Sequence, residues 1–151
     1  MIKLEKYDEK YLNFSWDWLN DPEIKFLTNT SDFSREEQIA WFNNIDKKLD
    51  YKIWGVSFND TPIGVFGIKN INFRKGIGEY WGYIGDKKFW GKGLGTLILE
   101  KILKVASEEL LLKSISLKVL KTNIIAFNLY KKFNFEEIGN DDVIIKMIKI
   151  L

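Results

Sequence analysis

Apolar and polar residues alternate through IKLEKY (residues 2–7), the period of a short opening strand. The period then changes. DEKYLNFSWDWLNDPEIKFL (8–27) places apolar side chains at Tyr11, Leu12, Phe14, Trp16, Trp18 and Leu19, a helical pattern with a break at Asp21–Pro22, where proline stops or kinks a helix. Ser34, followed three residues later by Glu37, is a capping box that opens a further helix in SREEQIAWFNNI. Alternation returns in YKIWGVSF, IGVFGIKNINF and IGEYWGYI. The turn chemistry of NDTP (59–62) and RKG (74–76) between them predicts an antiparallel meander over residues 51–84. After a glycine-rich stretch, Leu99, Ile102, Leu103, Ala106 and Leu110 recur at helical spacing, a helix of about four turns. SISLKVL then reads as a strand, NIIAFNLYKKF as a helix, and FEEIG and VIIKMIKI as two closing strands. VIIKMIKI is apolar enough to be a buried strand or to pair across a dimer. No repeat or linker interrupts the order, so residues 1–151 read as one domain. The predicted fold is α/β: a single mixed, mostly antiparallel sheet of about seven strands with helices on both faces.

Composition narrows what such a domain does. The chain is 46% hydrophobic and 29% charged, as in ordinary globular proteins. Aromatics make up 15%, with six Trp, which implies a well-filled core, an aromatic-lined cleft, or both. Lys and Arg number 23 against 21 Asp and Glu, interspersed, for a net charge of +2. No run suits a nucleic acid or a membrane surface, and neither partner is expected. No stretch approaches the ~18 consecutive apolar residues of a membrane span. The first residues lack the apolar core of a signal peptide, so the cytoplasm is the expected location. With no Cys there is no disulfide or thiolate nucleophile, and with no His the commonest general base and most zinc sites are gone. No metal is expected. Proton transfer falls to Tyr, Glu, Asp, Lys, water or backbone.

The stretch FWGKGLGTLI (89–98) holds three glycines at the mouth of a helix. The first N–H groups of a helix lack partners, and its dipole places partial positive charge there, so a phosphate is held wherever no side chain intervenes. Gly91, Gly93 and Gly95 leave that approach open, and Lys92 adds charge beside it. The spacing matches neither the P-loop nor the dinucleotide fingerprint.

WGKGLGT resembles the acyl-CoA pyrophosphate loop of the GNAT N-acetyltransferases, Q/R-x-x-G-x-G/A, with Trp90 where Gln or Arg is usual. NIIAFNLYKKFNFEEIG resembles the family's later block: Asn123, Ala126, Tyr130, Lys132 and Phe135 match in register, and Asn134 stands where glycine is usual. The likeness follows element order along the whole chain and is specific over residues 77 to 138. The FWGKG variant is similar to the branch holding the ribosomal-protein alanine acetyltransferases and their small-molecule relatives.

The resemblance implies acetyl transfer from acetyl-CoA, as cosubstrate, to an amine, with no covalent enzyme intermediate. It implies that IGEYWGYI parts from SISLKVL and that the pantetheine arm pairs with exposed backbone of Gly82, Tyr83 and Ile84. Gly91, Lys92, Gly93, Leu94, Gly95 and Thr96 would cradle the diphosphate, with Trp90 covering that loop or simply packing. Tyr130 falls on the family's tyrosine and is the candidate general acid; on the helix pattern alone it reads more readily as a core tyrosine beside Phe127 and Phe133. Glu79 is the candidate base, directly or through water, or else an exposed strand carboxylate; relatives often carry their strand acid where this chain has Tyr80. Asp86 reads as a loop-solvating residue. Asn123 would meet the pantetheine arm, cap its helix, or both. Lys132 would meet the 3′-phosphate or remain an ordinary surface lysine.

The first two helices and the residues after Phe73 would wall the acceptor side. Trp16, Trp18, Phe26 and Phe33 read mainly as core, and Asn29, Thr30, Ser31 and Asp32 as a solvated loop or as hydrogen-bonding groups for a small polar amine. LNDPEIKFL…S…FS with IAWF is similar to sugar-nucleotide amino-group acetyltransferases, and also to N-terminal alanine and polyamine acetyltransferases. With only Asp17, Asp21, Glu23 and Asp32 as acids, the segment favours a nucleotide-linked amino sugar over a polyamine. A protein N-terminus remains an alternative, as does a non-catalytic acyl-CoA-binding module. Monomer and homodimer both remain open.

Overall fold

A computed structural model describes residues 1–151. The chain runs β1 (Ile2–Lys6), α1 (Glu9–Asn20), α2 (Pro22–Leu27), α3 (Arg35–Ile45), β2 (Lys52–Phe58), β3 (Thr61–Asn72), β4 (Ile77–Ile84), α4 (Leu94–Lys104), β5 (Ser114–Leu120), α5 (Ile124–Lys132), β6 (Glu136–Asn140) and β7 (Ile144–Ile150). Local chemistry sets the boundaries. Asp21 ends α1 and caps α2, its carboxylate accepting from the N–H groups of Glu23 and Ile24, with Pro22 at the first helical position. The Ser34–Glu37 capping box is closed in both directions. Asn59 and Asp60, both with positive φ, make the tight turn from β2 into β3. The helical repeat ending at Leu110 is α4 followed by a widened turn of π-type over Val105–Glu109.

The seven strands form one sheet in the order β1-β2-β3-β4-β5-β7-β6, in which only β4 and β5 run parallel. The predicted mixed, mostly antiparallel sheet with helices on both faces is therefore present. β7 is hydrogen-bonded on both sides, by β5 and β6, so VIIKMIKI is an interior strand, and β6 is the edge. On one face, Phe66, Ile68, Tyr80, Ile115, Leu117 and Met147 pack against Leu94, Ile98, Leu99 and Ile102 of α4, with Leu129 and Tyr130 of α5 joining from the side. On the other face, Tyr7, Tyr11, Leu12 and Val65 pack with Trp18, Trp41, Ile53, Trp81 and Tyr83. Strand alternation thus sends Tyr80 toward α4 and α5, and Trp81 and Tyr83 toward α1 and α3.

Candidate active site

The parallel ladder between β4 and β5 lasts only from Ile77↔Ser114 to Glu79↔Ser116. Beyond it β4 stays paired with β3 as far as Gly64↔Ile84, while β5 stays paired with β7 as far as Leu120↔Ile144. The sheet splits without either strand losing its outer neighbour. Gly85 donates to the Ile63 carbonyl of β3 at 2.7 Å, which fixes the alternation: Tyr83 turns its N–H and C=O to β3, while Tyr80, Gly82 and Ile84 turn theirs into the split. Of the three residues expected to offer main-chain groups, Gly82 turns both toward the split and Ile84 its N–H, the Ile84 carbonyl being taken by Trp90; Tyr83 instead presents its ring to the α1/α3 face.

The glycine loop is moored at the end of β4. A β-bulge leaves Ile63 opposite no residue of β2, and its carbonyl accepts from both Gly85 and Asp86. A Cβ on Gly85 would lie 2.1 Å from Trp18 Cδ2, so glycine there seats the α1 indole. Asp86 caps the short turn Lys87–Phe89 through Lys88 N–H, a structural duty in keeping with a loop residue. Trp90 donates its indole N–H to the Ile84 carbonyl at 2.8 Å and ties the loop to the strand. Gly91 and Gly93 have φ of 71° and 75°, left-handed backbone that favours glycine, with open space beyond each Cα. The six successive N–H groups from Gly91 to Thr96 have no acceptor within the protein, and no side chain caps α4. Leu94 is buried, whereas Lys92 and Thr96 are exposed.

Tyr130 is held by edge-on contacts to Tyr80 (ring centroids 6.2 Å apart) and Phe135 (5.7 Å). Burial pushes its phenol up to about 12, so it is protonated and a donor at neutral pH. Asn123 caps α5, its side-chain oxygen accepting from Ala126 N–H at 3.3 Å. Asn134, in place of the usual glycine, has φ of 67°, the left-handed cap that asparagine tolerates. Lys132 is exposed. Glu79, at the last paired position before the split, is mostly buried and lies 3.6 Å from Lys69 Nζ on the facing strand. Alternation puts it on the face opposite Tyr80 and Tyr130, so the two candidate catalytic groups flank the split from opposite sides.

Two recesses bound the α1/α3 side. An inner cavity of about 250 Å³ is lined by Tyr7, Ser15, Gln38, Trp41, Trp81 and Tyr83, among others. An outer groove of about 610 Å³ runs from Lys25, Phe26 and Thr30 to Lys121 and Asp142, just past the end of β5. Phe26, expected in the core, is instead 62% exposed on that groove: α2 is too short to bury more than Ile24. The inner cavity was not anticipated from sequence. Its signal is Ser15, a polar residue on the same stripe as Leu12 and Leu19, together with the buried Gln38 of α3. No group of three or more acidic residues is placed to hold a metal ion, and no helix is long and apolar enough to cross a membrane.

The acetyltransferase (GNAT) family model matches residues 12–135. Acetyltransferase PseH from two strains of Campylobacter jejuni is 26% and 28% identical over 138 and 139 residues, covering 89% of this chain and 85% of each relative. The crystal structure of the Campylobacter jejuni N-acetyltransferase PseH with acetyl coenzyme A aligns with a TM-score of 0.78 at 22% identity, covering 99% of both chains. Spermidine N-acetyltransferase from Vibrio cholerae, in complex with CoA and spermine, aligns with a TM-score of 0.91 at 20% identity over 99% of this chain and 95% of that one. A split sheet, a bare glycine loop and a family match over four-fifths of its length lead to one conclusion: the chain belongs to the acetyltransferase (GNAT) family and is an N-acetyltransferase.

Proposed function

We propose that this N-acetyltransferase moves the acetyl group of acetyl-CoA to the primary amine of a small polar acceptor, favouring a nucleotide-linked amino sugar, by direct attack. The observation that carries the reading is the split between β4 and β5 beside six unpaired N–H groups. One extended ligand with a diphosphate at one end and a thioester at the other satisfies both. The diphosphate rests on the N–H groups of Gly91 to Thr96 beside Lys92, below the tethered Trp90. The pantetheine arm runs along the free edge of β4 at Gly82 and Ile84 and past Asn123, with the 3′-phosphate toward Lys132. The Gly82 N–H donates to the thioester oxygen as negative charge develops there. The amine nitrogen attacks the carbonyl carbon and the C–S bond breaks. Tyr130 gives its proton to the departing sulfur, and the amine's proton passes to Glu79, directly or through water.

Charge pairing supports the acceptor class. Of the four acids between residues 14 and 34, Asp21 and Glu23 are both held by Lys87 at 2.9 Å, and Asp32 by Lys25, while Asp17 stands alone; Glu37, which lines the inner cavity, is engaged in the α3 capping box. That leaves little to hold the several ammonium groups of a polyamine. The outer groove, with Phe26 between Lys25 and Lys121, has room for a nucleotide. The test is thiol release from acetyl-CoA against UDP- and dTDP-amino sugars, spermidine, and Ala- and Ser-initiated peptides. Turnover with a sugar nucleotide is expected. Turnover confined to peptides or spermidine overturns the acceptor assignment, and CoA binding without turnover of any amine points to a binding module.

A further inference from the structure

The proton inventory of the inner cavity can be closed. Ser15 Oγ lies 3.0 Å from the Leu12 carbonyl, 2.6 Å from the Tyr7 hydroxyl and 3.2 Å from Gln38 Nε2. The carbonyl only accepts, so Ser15 gives it its single proton. Gln38 Nε2 only donates, and Tyr7 must then donate as well. Both lone pairs of Ser15 are taken. The Gln38 oxygen is occupied in turn by Arg35 Nη1 at 2.6 Å. Tyr83, in the same wall, is left over: its hydroxyl is shut off from the surface and has no hydrogen-bond partner in the protein. The Trp81 indole N–H, which lies over Gly67 and beside Tyr51, is likewise buried without a hydrogen-bond partner. Burial first, and then nearby Tyr7, hold the Tyr83 phenol well above its ordinary range, against a smaller downward pull from nearby Ser15, so it keeps its proton.

Two buried donors without acceptors are a standing cost to the fold. Around them the cavity is otherwise walled by Leu19, Ile53, Val65, Trp41 and Phe33, with Thr30 and with Glu37, whose carboxylate accepts from Ser34 N–H in the α3 capping box. A ligand that relieves this cost must bring lone pairs on a compact body with an apolar face. Polyamines fail the requirement, because a protonated amine offers hydrogens and no lone pair. An oxygen-bearing ring meets it, since ring, hydroxyl and acyl oxygens all accept and the C–H face packs on aromatic walls.

We propose that Tyr83 is a specificity-determining residue of the acceptor site: its hydroxyl donates to an oxygen on the neutral ring that carries the amine. This rests on the acetyl-transfer reading above and deepens it. It also explains why β4 turns the Tyr83 main chain away from the split, for that orientation is what aims the ring at the cavity.

The experiment compares wild type with Tyr83→Phe, which removes one oxygen and keeps the ring. Three quantities are measured: the Kd for CoA by calorimetry, kcat and KM with dTDP-4-amino-4,6-dideoxyglucose and with spermidine, and the melting temperature without ligands. The expected result is a KM for the sugar nucleotide raised about 10-fold or more. CoA affinity, kcat and any spermidine KM should stay within about 2-fold. The melting temperature should rise by about 2 °C, because a partnerless buried hydroxyl has gone. A residue needed only for packing or internal hydrogen bonding would lower it. An unchanged sugar KM, a lower melting temperature, or wild-type turnover of spermidine but not of the sugar overturns the assignment. If neither protein binds CoA, the acetyl-transfer reading falls and this proposal with it; intact CoA binding with an unchanged sugar KM removes the Tyr83 donor alone.

Discussion

Gly95→Ala separates what the protein needs at the mouth of α4 from what its ligand needs. Gly95 lies in the first turn of the helix, and a Cβ built on it would meet only Leu129 Cδ2, at 3.6 Å, an ordinary van der Waals contact. The protein alone therefore favours alanine, by roughly 0.5–1 kcal/mol of backbone entropy. At about 2–4 °C per kcal/mol for a chain of this size, the melting temperature should rise by about 1–4 °C. The ligand meets a different balance. A helical Cβ tilts toward the N-terminus, which here is the row of six unpaired N–H groups. The added methyl keeps a phosphate oxygen from closing on that row. Losing one hydrogen bond to a charged oxygen, at about 1.5–3 kcal/mol, weakens CoA binding roughly 10- to 150-fold. Gly93→Ala is the contrast: its φ of 75° strains any Cβ by about 1–2 kcal/mol, so that variant should melt lower. Calorimetry against CoA and scanning calorimetry of the free proteins give both readouts. A Kd for Gly95→Ala within 2-fold of wild type would show that glycine at 95 serves no close ligand approach and would refute the cradle.

Tyr130→Phe should lower kcat about 100-fold with little change in CoA affinity, read by thiol release and calorimetry; a kcat within 3-fold of wild type rules the phenol out as the acid. Stability should fall above pH 10. Tyr7 and Tyr130 are both raised to about 12, chiefly by burial, so between about pH 10 and 12 the unfolded chain releases protons that the fold retains. Each such group then removes about 1.4 kcal/mol per pH unit, stability being intact below pH 10 and lost as pH rises toward 12; a flat urea-denaturation series from pH 9.5 to 11.5 would contradict this. Asn134→Ala should lower the melting temperature by about 2–5 °C at its φ of 67°, and Asn134→Gly should leave it unchanged or higher. A tolerated alanine would mean that the turn relaxes out of the left-handed region.

The elements legible in the sequence are those set by neighbours along the chain. Ser34 with Glu37, Asp21 with Pro22, and Asn59 with Asp60 each act within four residues, and each boundary falls where local chemistry places it. The glycine loop is legible for the same reason, since its proposed role rests on consecutive backbone amides. What escaped depends on partners far apart in the chain. Whether β4 parts from β5 after Glu79 is settled by β3 and β7 holding the two strands from outside, and periodicity cannot express it. The Ile63 bulge that moors the loop shows only in the pairing of β2 with β3. Tyr83 was assigned by its main chain because one residue of parity decides edge and face alike, and the register of β4 was needed to settle it. Phe26 reads as core in any helical pattern; exposing it follows from the brevity of α2 and the open groove beyond β5.

The split makes physical sense of finding the candidate base, Glu79, and the candidate acid, Tyr130, 51 residues apart in sequence. A continuous sheet would seal its two faces from each other, and an amine on one side could not reach a thioester held from the other. Opening the sheet leaves one strand edge on each side without a neighbour, and unpaired main-chain groups are tolerable only where water or a ligand meets them. The parallel pair is the economical place for this, because a crossover helix already joins β4 to β5. A right-handed crossover starts at the carboxyl end of the first strand, so the N-terminus of α4 must sit beside the mouth of the split. The unpaired N–H groups at the start of α4 and the open edge are therefore consequences of the same connection. The chain needs only three residues of parallel pairing, Ile77 to Glu79, to hold the hinge of that opening closed. A substitution that extends the ladder past Ser116 would stiffen the protein and close the passage between its donor and acceptor faces.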